Sequence, residues 1–95
     1  MDTIIEEIGP AALLEQTAEE CSELAKACLK LARKMRGENP TPVFEDILFR
    51  NLNEEIADVT VCMNLIVKSG MATDEAVNSI AERKKDRWKQ RLEEK

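Results

Sequence analysis

Histidine and tyrosine are both absent from this 95-residue sequence. Without histidine there is no imidazole base and no imidazole metal ligand. Aromatic residues make up only 3%, and few β-branched residues alternate with polar ones, so a sheet is not expected. Three Gly and three Pro are too few for a linker or a low-complexity chain. No run of about 18 apolar residues occurs, which excludes a membrane-spanning helix. Met1-Asp2-Thr3 lacks the basic start of a signal peptide. Cysteine occurs three times, at Cys21, Cys28 and Cys62, an odd number with no C-x-x-C pair. These read as small buried hydrophobes in a reducing, cytoplasmic setting, and a thiolate metal site is not expected.

What is present favours helix. Residues are 43% hydrophobic and 35% charged, and Ala, Leu, Glu, Lys and Arg dominate. The length fits one domain over residues 1–95. A chain this short hides only about 60–65% of its unfolded surface, which makes partner subunits a live expectation. Gly9-Pro10 closes a short segment around Ile4–Ile8, residues 37–42 read as a loop, and Gly70 ends a further segment. Thr41-Pro42 and Thr73 read as helix starts. Three helices follow, over about 10–36, 42–69 and 73–93: an all-α helical hairpin plus a third helix.

On the first long helix, Leu14, Ala18, Cys21, Ala25, Cys28, Ala32 and Met35 alternate at spacings of four and three, a packing seam widened by Leu13, Leu24 and Leu31. Acids crowd its first half and bases (Lys26, Lys30, Arg33, Lys34, Arg36) its second, as suits the helix dipole. On the second, residues 56–67 are apolar in nearly every direction and must be covered on several sides. A second copy of the chain would do that, giving a bundle of four or more helices. A core helix inside a monomer is the other reading.

The acids carry the chemistry. Glu20 and Glu23 lie three apart, as do Glu55 and Asp58, so each pair shares a helix face. Glu19 points further toward solvent. In an antiparallel hairpin, Glu23 and Glu55 are each 13 residues from the turn-side helix ends Arg36 and Pro42, while Glu20 and Asp58 are each 16. At about 1.5 Å rise per residue, four carboxylates meet at one height. Such a group repels itself unless bases or hard cations join it. Mg²⁺, or Mn²⁺, suits oxygen ligands of this kind. A solvated acidic face is the blander alternative.

Glu19-Glu20-x-x-Glu23 followed by Glu55-x-x-Asp58 resembles the EExxE…ExxD signature of the MazG-like all-α nucleotide pyrophosphohydrolases. The likeness runs from about Leu14 to about Arg91, with a gap between the halves on the long side for that family. It implies hydrolysis of a nucleoside triphosphate to the monophosphate and pyrophosphate. It also implies Mg²⁺ on Glu20, Glu23, Glu55 and Asp58, a proton acceptor at Glu19 or Glu20, and a homodimer or homotetramer. A phosphoribosyl-ATP pyrophosphohydrolase would cleave the same kind of bond, and a non-enzymatic helical interaction module is a third possibility.

Residues 82–95 hold seven Lys or Arg against four acids, a net of +3, so the preceding 81 residues carry −8. Lys84, Lys85 and Arg87 are available to hold phosphates. Arg87-Trp88 resembles the Arg-aromatic end of the family's last-helix pattern, although Ile80 and Lys84 stand where that pattern has Lys and Asn. A solvated helix with Val77, Ile80, Ala81 and Trp88 turned inward competes with this. Phe44, Phe49 and Trp88 are the aromatics able to stack a base, and Asn64 could read a base edge or bond across a dimer core. Net −5 opposes nucleic-acid binding.

Overall fold

The computed structural model of the protein describes residues 2–37 and 43–94. Three helices follow one another: α1 (Thr3–Arg36), α2 (Glu45–Lys68) and α3 (Asp74–Glu93). No strand occurs among the described residues, and none of the helices is long and apolar enough to cross a membrane. Thr41 and Pro42 lie outside the described residues, but α2 begins only at Glu45, with Phe44 in extended conformation at its N-cap and no side-chain cap bond, so the helix starts later than the expected position near 42.

Local chemistry sets the helix ends. Asp2 caps α1, its carboxylate accepting from the Ile4 N–H at 3.0 Å. Gly9 breaks the helix at φ 81°, ψ 169°, a conformation that only glycine adopts freely. Pro10 then restarts it, its fixed φ already helical. The short segment before Gly9-Pro10 is thus a real unit, docked by buried Ile5. At the other end Gly37 takes the left-handed conformation and donates its N–H to the Arg33 and Lys34 carbonyls. Thr73 caps α3 as expected, accepting from the Ala76 N–H at 3.1 Å.

α1 and α2 form an antiparallel hairpin. Asp2, at the start of α1, pairs with Lys68, at the end of α2, at 3.4 Å. The Ile4 N–H and the Lys68 ammonium hold the Asp2 carboxyl below the usual range. Further along, Ile5 and Leu13 pack against Leu65 and Ile66. Leu31, Leu48, Val59 and Cys62 complete the buried apolar set.

The covered stripe of α1 is Leu13, Thr17, Glu20, Leu24, Ala27 and Leu31. It is shifted one residue from the seam expected from the pattern. Leu14 is 49% exposed and Met35 59%, and Cys21 and Cys28 are exposed, so of the three cysteines only Cys62 is a buried hydrophobe. The reason is geometric: one residue is about 100° of helix, the two stripes adjoin, and both are apolar, so periodicity alone does not say which one α2 covers.

No residue of α3 is buried. Val77, Ile80 and Trp88 are exposed rather than packed inward. The third helix leaves the hairpin instead of lying on it, and the radius of gyration is 16.9 Å where a compact chain of this length would have about 12 Å.

Leu13, 1% exposed, anchors the hairpin. Leu13→Ala is expected to lower stability by about 2–5 kcal/mol, measured as a fall in the urea midpoint at constant slope.

Candidate metal centre

Glu20 sits in the covered stripe of α1, in a row it shares with Leu13, Thr17, Leu24, Ala27 and Leu31. Opposite it, one turn of α2 presents Glu55 and Asp58. The hairpin brings one carboxylate oxygen of each to within 4.8 Å of the other two. Glu20 and Glu55 are half-buried and Asp58 is exposed.

The electrostatics are unrelieved. Among the described residues, no Lys or Arg forms an ion pair with any of the three. Glu20 accepts one hydrogen bond, from the Gln16 amide at 2.8 Å. Glu55 Oε2 is buried with no hydrogen-bond partner, an arrangement that is unfavourable for a polar atom unless something supplies positive charge. Burial pushes the Glu55 carboxyl up, and the neighbouring charges of Asp58, Glu23, Glu20 and Glu54 push it the same way.

This donor set fits a hard divalent cation. All three ligands are carboxylate oxygens, as Mg²⁺ and Mn²⁺ prefer. Oxygens around one Mg²⁺ are separated by about 3 Å when adjacent and about 4 Å when opposite, and both separations lie inside the 4.8 Å that bounds this cluster. Glu23 stands beside this group: its charge acts on Glu55, but its carboxylate contacts Lys26 at 3.6 Å. Glu19 is exposed and outside the cluster.

The bases expected to hold phosphate are elsewhere. Lys84, Lys85, Arg87 and Trp88 all lie on α3 and are exposed. None of them joins the carboxylates or lines the groove beside them. Asn64 is exposed on α2, also outside that groove. The groove itself, of about 290 Å³, runs from Glu23 and Glu55 along α1 past Lys26, Lys30 and Arg33, with Leu48 in its wall. Sequence reasoning read these three bases only as partners of the helix dipole. Their spacing from Glu23, at 26, 30 and 33, carries the missing signal: steps of three, four and three keep them on one face.

Glu55 makes the cluster sensitive to pH. Its folded carboxyl titrates above the ordinary value of 4.5, so between those two values the folded chain holds a proton that the unfolded chain has lost. Its contribution to stability is present below about pH 4.5 and lost as pH rises through the raised value. Asp2, held low, acts in the opposite sense and in a lower window. In EDTA, Glu55→Gln is expected to gain Tm relative to the unsubstituted protein as pH rises from about 4 to 7. Thermal melts across that range check this, and parallel curves would contradict it.

The chain matches no known protein family, no curated protein and no solved structure, so the carboxylates and the groove beside them carry the functional reading.

Proposed function

We propose that the protein is a Mg²⁺-dependent nucleoside triphosphate pyrophosphohydrolase of the MazG-like all-α type. It would cleave a nucleotide or deoxynucleotide triphosphate to the monophosphate and pyrophosphate. The observation that carries this reading is the convergence of Glu20, Glu55 and Asp58 within 4.8 Å, with a buried oxygen of Glu55 left unpartnered.

Glu20, Glu55 and Asp58 would hold the ion, with Glu23 beside them, its charge acting on Glu55. A bound divalent ion supplies charge neutralisation for the triphosphate oxygens and lowers the pKa of water. The protein's own contribution is positional. Glu55 and Asp58 stand on one turn of α2, and Glu20 stands between Thr17 and Leu24 in the covered stripe of α1. The proton acceptor is Glu19 or Glu20; Glu20 is within the cluster and already oriented by Gln16, whereas Glu19 faces solvent. In-line attack of water at the α-phosphorus would expel pyrophosphate.

A second copy of the chain belongs to this reading. Leu14 and Met35 on α1, Ile56, Val61 and Met63 on α2, and Val77, Ile80 and Trp88 on α3 are all exposed in the single chain. That much uncovered apolar surface on a small chain is what an obligate assembly conceals. Light scattering on the purified protein is expected to give the mass of a dimer or tetramer, and a monomer at micromolar concentration would refute the assembly.

Pyrophosphate release from a panel of nucleoside triphosphates tests the activity. Release is expected with Mg²⁺ and not with EDTA. Glu55→Gln and Asp58→Asn are each expected to reduce it by more than about 100-fold, with far-ultraviolet circular dichroism unchanged. Absence of release from every nucleotide, or release indifferent to both substitutions, would overturn the reading.

A further inference from the structure

The groove beside the carboxylates has two chemically opposite ends. Glu23 and Glu55 line it beside the carboxylate cluster, and Lys26, next to Glu23, leads along α1 to Lys30 and Arg33, which line it further away. All three bases come from one face of α1, about 4.5, 10 and 15 Å along the helix from Glu23. Among the described residues, neither Lys30 nor Arg33 forms an ion pair, and Lys26 is paired only with Glu23. That pair is weak, because both side chains are more than half exposed.

We infer that this groove is a diphosphate subsite, in which Lys26, Lys30 and Arg33 of α1 hold the phosphates that extend beyond the metal. The inference rests on the metal-site reading above and adds to it the groups that hold the anion. An acidic end next to a basic end suits a ligand that is itself divided, with a cation at one end and phosphate oxygens at the other. Lys26 and Lys30 present point charges along the groove. Arg33, further from the metal, offers a planar fork that matches phosphate oxygens. Glu23 joins the two ends. Glu23 contacts Lys26; if it turned to a bound cation, the Lys26 ammonium would be released to the anion. Binding of cation and phosphate would therefore reinforce one another through Glu23 and Lys26.

This subsite differs in place from the basic helix α3. Its three bases belong to the same hairpin as the carboxylates, so it is complete within one chain. Lys30 and Arg33 are exposed, and their substitution leaves the packed seam untouched.

The probe is inorganic pyrophosphate with Mg²⁺, titrated calorimetrically into the full chain. Lys30→Gln combined with Arg33→Gln is expected to weaken pyrophosphate binding about tenfold or more, with Tm unchanged. Lys89→Gln combined with Arg91→Gln, on α3, is expected to change it by less than about twofold. Mn²⁺ binding, read separately by electron paramagnetic resonance, is expected to be lost in Asp58→Asn and kept in the Lys30/Arg33 variant. Pyrophosphate binding that is absent, or indifferent to Lys30 and Arg33, or weakened equally by the α3 pair, would overturn the subsite whatever Mn²⁺ does. Pyrophosphate binding that depends on Lys30 and Arg33 without any Mn²⁺ binding would keep the subsite and remove the metal reading.

Discussion

The structure turns on a carboxylate, Glu20, placed where a helical hairpin would ordinarily put a hydrophobe, and on the two acids that meet it. Glu20 occupies a position in the row that α1 buries against α2, and Glu55 and Asp58 meet it from the other side. Charge brought together at a partly dehydrated interface raises the free energy of the folded chain. Burial and the like charges of its neighbours push the Glu55 carboxyl up. The apolar contacts around it, from Leu13 and Leu65 at one end to Leu31 and Leu48 at the other, must hold the hairpin closed against this repulsion. A cation at this point would convert the repulsion into binding energy.

The same hairpin divides its charges along its length. Beyond Glu23 the face of α1 changes sign within one turn, to Lys26, Lys30 and Arg33. The order that suits the helix dipole also produces a groove that is acidic at one end and basic at the other. A local electrostatic preference of α1 and a binding geometry are thus satisfied by one arrangement of residues. The third helix adds a separate basic surface that stands away from this groove, with its apolar residues uncovered.

Much was legible from residue order. The all-α class, the break at Gly9-Pro10, the end of α1 before the loop at Gly37 and the cap at Thr73 follow from backbone chemistry that acts over a few residues. The meeting of Glu20 with Glu55 and Asp58 was also readable, because helical rise and the position of one turn fix the register of an antiparallel pair. Cys21 and Cys28 were misplaced in the core for the opposite reason. They lie on a second apolar stripe beside the one α2 covers, and the two are equivalent until a neighbour chooses between them.

By itself, then, the sequence determined much of what local dihedrals and helical repeat set: three helices, the cap at Thr73, and acids recurring at matched heights. Tertiary structure alone decided which stripe of α1 is buried, that Glu23 turns to Lys26 while Glu55 is left unpartnered, that α3 leaves the hairpin, and that bases of α1 rather than of α3 line the groove. Those outcomes depend on which of several apolar and charged faces meet in space. Contacts between residues distant in sequence decide that, and periodicity along one helix carries no information about them.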